Sequence, residues 1–204
     1  MYDPDPIRIF LIGSRAFGCA ARDLITRRGG FALVGICSPE GDDLATSTVV
    51  PAVHTANPAA GMLPPDTDLI IAAHNHRFIP PAMLAATRLG GLSYHPSLLP
   101  LHRGRDAIFW TLRDHDRVTG GTVYWLDEQV DGGPIAAQEW CFVRPDDTPS
   151  TLWRRELFPM GLRLIDRVLG DLLAGRVQRQ PQDEALATWE PNLTRPALAA
   201  GGAA

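Results

Sequence analysis

The chain of 204 residues carries 19 Lys and Arg against 23 Asp and Glu, a formal net charge of −4, with no long run of one sign. That length buries one α/β core without help from disulfides, and the mild acidity offers neither a nucleic-acid nor a membrane surface. Cys19, Cys37 and Cys141 are odd in number, far apart and free of CxxC or zinc-type spacing, so reduced and mostly buried thiols are expected.

The opening residues Met1-Tyr2-Asp3-Pro4-Asp5-Pro6 are acidic, unlike the basic start of a secretion signal. No apolar run approaches the roughly 18 residues of a membrane span. A cytoplasmic location, without membrane or nucleic-acid partner, is expected. Ile7 to Ile12 is an apolar run ended by Gly13, the pattern of a buried parallel strand that turns into a helix, here Phe17 to Arg28. Phe31 to Cys37 reads as a second strand and Asp68 to Ala73 as another, after a stretch rich in Pro and Gly. Strands alternating with helices imply an α/β fold, a Rossmann-like, doubly wound and mostly parallel sheet with helices on both faces.

Pro80 to Arg88 reads as a helix with Pro in its first turn, where the missing N–H costs little. Gly91 to Tyr94 is the next strand, and Asp106 to Arg113 the next helix. Gly121 to Leu126 alternates as a strand and leads into the turn-rich segment Asp127 to Pro134, with Ile135 to Val143 returning as its partner. From Thr151 to Ala174, Leu152, Leu157, Leu162, Ile165, Val168, Leu169 and Leu172 form a helical stripe that packs on the sheet. Residues 1–190 read as one domain and 191–204 as a flexible tail.

Open α/β sheets bind ligands in the loops at their strand ends. Two loops stand out. In the first, a strand delivers His95 into Pro96-Ser97-Leu98-Leu99-Pro100-Leu101-His102-Arg103-Gly104, where two prolines restrain an imidazole suited to moving a proton near neutral pH. In the second, Asp127-Glu128-Gln129-Val130-Asp131-Gly132-Gly133-Pro134, glycines permit close backbone approach to a flat ligand and carboxylates are available to pair with the histidine. Tyr94 alternates away from Ser93 and His95 and is expected to pack, while His102 and Arg103 are expected to order the loop. His74 and His76 have metal-like spacing without a third or fourth ligand, so no metal is expected. Gly13-Ser14-Arg15-Ala16-Phe17-Gly18 lacks the middle glycine of a dinucleotide motif.

His95-Pro96-Ser97-Leu98-Leu99-Pro100 with Arg103-Gly104, then Asp131-Gly132-Gly133, then Pro145-Asp146-Asp147-Thr148, together resemble the formyltransferases and hydrolases that use 10-formyltetrahydrofolate. Tyr94, Trp110-Thr111-Leu112, Leu157-Phe158-Pro159 and Ala187-Thr188-Trp189-Glu190 are similar to the amino-terminal hydrolase domain of formyltetrahydrofolate dehydrogenase. The resemblance implies a catalytic domain alone, without NADP-dependent oxidation. It implies His95 and Asp131 as catalytic residues, with Ser93 standing where the family has an oxyanion-binding Asn. It further implies 10-formyltetrahydrofolate as formyl-donor cosubstrate, held by Arg77, Phe78 and Ile79 on one side and by Asp127, Glu128, Gln129 and Val130 on the other. Transfer to the amine of a small molecule is the expected reaction. Hydrolysis to formate and tetrahydrofolate is the alternative, favoured by Ser93, and non-catalytic folate binding the third. Methionyl-tRNA is not expected as acceptor, and the oligomeric state is left open.

Overall fold

The computed structural model describes residues 5–46, 50–55 and 57–190. The tail expected at 191–204 lies outside the described residues. Strands β1 (Ile7–Gly13), β2 (Phe31–Ser38), β3 (Ala52–His54), β4 (Leu69–Ala73), β5 (Gly90–His95), β7 (Val118–Trp125) and β8 (Ile135–Phe142) form one sheet in the order β3-β2-β1-β4-β5-β7-β8. The pairs from β3 to β5 are parallel, and β5–β7 and β7–β8 are antiparallel. A two-stranded sheet joins β6 (Arg103–Gly104) to β9 (Trp189–Glu190). The doubly wound, mostly parallel sheet read from the sequence is the fold observed.

Helix α1 (Arg15–Arg27) and the long helix α6 (Phe158–Leu173) cover one face, where Phe17, Ala21, Ile25, Leu164, Val168 and Leu169 meet Leu11, Ile71, Leu92 and Val123 in the main core. A smaller core on the other face joins Phe10, Ile12, Ile70 and Ala72 to Ile79 and to Met83 of α3 (Pro81–Ala85). Alternation along each strand sends successive side chains to these two cores, which is why the parallel strands read as unbroken apolar runs. Short helices α2 (Asp43–Thr46), α4 (Ala107–Arg113) and α5 (Pro149–Leu152) complete the layers.

The last residue of β1 is Gly13, where a Cβ would stand 2.2 Å from the carbonyl oxygen of Ala73 on β4. Its role is strand packing, so half of the glycine pattern near the first turn is absorbed by the fold. The helix expected at 80–88 is shorter, because the Thr87 hydroxyl donates to the Leu84 carbonyl and accepts the Gly90 N–H, closing the chain into a turn before β5. The helix expected at 151–174 is divided into α5, a π-helical turn over Trp153–Leu157, and α6. Pro159 lies in the first turn of α6. In a continuous α-helix its ring would press on the carbonyl four residues back, and the wider π turn relieves that clash.

Candidate active site

His95 is the last residue of β5, and its side chain is 9% exposed. Its Nε2 lies 2.7 Å from the His102 carbonyl oxygen. A carbonyl only accepts, so Nε2 carries the hydrogen and a neutral ring presents a bare Nδ1. That Nδ1 faces Oδ2 of Asp131 at 3.5 Å. The separation is longer than a hydrogen bond, yet close enough for the carboxylate to stabilise a proton arriving on Nδ1.

The loop holding His95 in place is tied down along its length. Thr122 of β7, the cross-strand partner of His95, donates its hydroxyl to the Ser97 carbonyl at 2.7 Å and accepts the Leu99 N–H at 3.2 Å. The Ser97 hydroxyl donates to the Leu101 carbonyl at 2.6 Å. Beyond it, His102 bonds Glu190 through Nδ1 and Asp116 through Nε2 at 2.8 Å. Both ring nitrogens therefore donate. Burial works against the charge on His102, but the hydrogen bonds and charges of Asp116 and Glu190 outweigh it and raise the imidazole above its ordinary value.

Asp131 adopts a left-handed φ of +53° in the loop after β7. The Tyr124 hydroxyl donates to its Oδ1 at 2.6 Å and the Gly104 N–H to its Oδ2 at 2.8 Å. Gln182 donates to the backbone carbonyls of Asp131 and Gly133 at 2.9 and 2.7 Å, and its own oxygen accepts from Arg103, which is 1% exposed. Arg103 also pairs with Glu184 at 2.7 Å. The two loops picked out from the sequence are thus bolted together through Arg103 and Gln182. Ser93 stands two residues before His95 on the same face and pairs across the sheet with Tyr124.

Tyr94 points to the opposite face, stacks on Phe17 at 5.3 Å between centroids and donates its hydroxyl to the Leu157 carbonyl. Ser93, His95 and Asp131 are therefore gathered at one strand end, with Tyr94 in the core.

A cavity of about 290 Å³ opens at the carboxyl ends of β1, β2 and β4, the point where the strand order reverses, and Ser93, His95 and Asp131 are not among its lining residues. Ser14, Ser38, Thr55, His74, His76 and Arg77 are among its lining residues. Ser14 holds His74 through Nδ1 at 2.9 Å and through its carbonyl at 2.8 Å. Burial, then the neighbouring His76 and Arg15, push the His74 imidazole down to about 4, so it is neutral at pH 7. His76, 4.5 Å from it between ring centroids, is lowered for the same first reason, with Arg105 next among the causes.

Of the residues assigned to the cosubstrate, Phe78 and Val130 are 50% and 48% exposed, and Glu128 and Gln129 are also exposed. Asp127 accepts the Gln129 N–H at 2.8 Å and shapes its own turn. Arg77 is exposed, and Asn75 brackets its backbone N–H and carbonyl. Ile79 is 4% exposed within the smaller core and offers a ligand its backbone only. Among the described residues one cluster of metal-ligating type occurs, His102, Asp114 and Glu190. Both imidazole nitrogens of His102 already serve Glu190 and Asp116.

Sequence reasoning did not find Tyr124, Gln182 or the Gly104 N–H. Alternation places Tyr124 on the face of Thr122, but its meeting with Ser93 depends on register, and Gln182 reaches the site from far along the chain. Neither leaves a local signal.

The formyl transferase family model matches residues 54–168. The cytosolic 10-formyltetrahydrofolate dehydrogenase of Pongo abelii is 33% identical over 201 residues, covering 90% of this chain and 22% of that protein. The chain thus spans about a fifth of that relative's length, and the match to the Mus musculus protein covers 13% of it. Glycinamide ribonucleotide transformylase 1 from Symbiobacterium toebii superposes with a TM-score of 0.74 at 27% identity, over 86% of this chain and 94% of that one. HypX from Aquifex aeolicus, solved with tetrahydrofolic acid, has a TM-score of 0.72 at 21% identity over 92% of this chain and 30% of its own, a likeness of fold. With the matched residues covering more than half its length and holding both loops of the site, the chain belongs to the formyl transferase family.

Proposed function

We propose that the chain takes the formyl group from 10-formyltetrahydrofolate and passes it to an amine of a small-molecule acceptor. The observation that carries this reading is His95 and Asp131 facing each other at 3.5 Å, both largely buried. The donor lies between residues 127–131 and 74–79, where Phe78 and Val130 present exposed apolar surface to its ring system. The acceptor enters from the cavity, whose hydroxyls, neutral imidazoles and Arg77 suit a polar portion of a small molecule.

Attack of the amine on the formyl carbon makes a tetrahedral intermediate with an oxyanion, and N10 of the folate leaves with a proton. The bare Nδ1 of His95 accepts the proton released by the amine nitrogen, and the Asp131 carboxylate stabilises the resulting imidazolium. The same Nδ1–H is then available to the oxyanion and to N10. Preorganised donors at an oxyanion are worth roughly 2.7–4 kcal/mol each, so a charged His95 supplies stabilisation at the moment it is needed.

Water in place of the amine gives formate, a second reading favoured by the similarity to the dehydrogenase and by Ser93 at the family's Asn position. Incubation with 10-formyltetrahydrofolate separates the readings. Tetrahydrofolate release that depends on added cell-extract amines, with a formylated product by mass analysis, supports transfer. Release of formate without any amine supports hydrolysis. Tight folate binding without turnover leaves a folate-binding protein and defeats both.

A further inference from the structure

Asp131 owes its orientation to the Gly104 N–H of the His95 loop and to a hydroxyl that neither catalytic loop supplies. Tyr124 is 3% exposed, and its hydroxyl lies 2.6 Å from Oδ1 of Asp131. A carboxylate only accepts, so the single phenolic hydrogen must go to Asp131. Ser93 is the cross-strand partner of Tyr124, and its hydroxyl favours the ionised phenol, as a donor to the phenolic oxygen does. With the phenolic hydrogen committed to Asp131, Ser93 can only donate in such a contact, and its one hydrogen is then not free for an oxyanion.

Resting on the assignment of His95 and Asp131 as the reacting pair, we propose that Tyr124 positions Asp131 and that Ser93 acts through Tyr124 rather than on substrate. The direction of donation is Ser93 to Tyr124 to Asp131. Fixing Oδ1 in this way sets the plane of the carboxylate. Its other oxygen, Oδ2, is then left to the Gly104 N–H at 2.8 Å and to Nδ1 of His95. Without the phenol, the carboxylate rotates about its side-chain torsions and the 3.5 Å approach to His95 lengthens. The charge that stabilises the imidazolium becomes weaker during turnover, while the folate-contacting surface is untouched. Oxyanion stabilisation then passes to His95 itself.

The test is a double-mutant cycle on the full chain, read as kcat and KM for 10-formyltetrahydrofolate with melting temperature as a fold check. Tyr124→Phe, which removes only a buried hydroxyl from a carboxylate, is expected to lower kcat by roughly 10- to 100-fold with KM within about twofold. Ser93→Ala is expected to lower kcat by roughly threefold in the wild type and not at all in Tyr124→Phe. Effects that multiply would mean Ser93 works independently, and wild-type kcat in Tyr124→Phe would mean the phenol does not position Asp131; either overturns the inference. Should Tyr124→Phe fail to fold, Ser93→Asn decides. A rise in kcat restores an oxyanion donor and overturns the inference, whereas kcat at or below wild type supports it. A wild type without turnover removes the underlying reading and this inference with it. Turnover abolished in His95→Ala but preserved in Tyr124→Phe removes this inference alone.

Discussion

Asp131 has to combine a charge with a left-handed backbone, φ +53°, a conformation in which Asp and Asn are the side chains most often found. Asp131→Asn keeps that backbone and the side-chain shape while removing the negative charge. We expect kcat to fall by roughly 10²- to 10⁴-fold, the range usual for loss of general acid–base assistance, with a lower melting temperature because the amide cannot accept from both the Tyr124 hydroxyl and the Gly104 N–H. His95→Ala is expected to lose at least as much, since it removes the proton carrier itself; measured turnover near wild type in either variant would dismiss the mechanism. The two loops were legible in the sequence through the proline-restrained His95 and the glycine-flanked carboxylates, whereas the choice of Asp131 among those carboxylates came with the family resemblance. Tyr124 was not legible. It reads as one more aromatic in an alternating strand, and only the register shift between Val123 and Tyr124 in the β7–β8 pairing and the Ser93 partnership give it a role.

At the scale of elements, the apolar runs that became β1, β2 and β4 were legible because burial on both faces leaves few polar interruptions. The strands β3, β6 and β9 were not, being two or three residues long and formed only where the chain returns to something already folded. The division of the last helix was also hidden, although Pro159 is its cause. The π turn brings the Leu157 carbonyl within 2.7 Å of the Tyr94 hydroxyl, and Gly161 beneath it has no room for a Cβ, which would stand 2.6 Å from the Tyr94 ring. Tyr94 is therefore a pin between β5 and α6. Tyr94→Phe keeps the ring packing but removes the buried hydrogen bond, so urea unfolding is expected to show a loss of about 1 kcal/mol with kcat unchanged. Gly161→Ala forces two aromatic rings to move and is expected to cost about 1–3 kcal/mol in the same measurement. A stability loss in Tyr94→Phe accompanied by a fall in kcat would instead tie α6 to the site.

The whole molecule is closed by its last described segment, residues 178–190, which runs back across both loops of the site. Trp125 donates to the Gln178 carbonyl, Gln180 bridges to Ile135, Gln182 holds the Asp131 loop, and Glu190 holds His102. None of these contacts follows from local pattern, since each joins residues far apart in sequence and the segment itself has no strong periodicity. His102 makes this closure sensitive to pH. Its folded-state imidazole is raised above the ordinary value because Asp116 and Glu190 outweigh the cost of burial, so the folded chain holds the proton more tightly than the unfolded one. That stabilisation is fully present below the unfolded value near 6.5 and is lost as pH rises through the higher folded value. His102→Gln removes the titrating ring and with it this dependence. The difference in urea midpoint between wild type and His102→Gln is therefore expected to be largest below pH 6.5 and to shrink as the pH is raised. A difference that stays constant across that range would show that His102 closes the molecule by shape and neutral hydrogen bonds, without its charge.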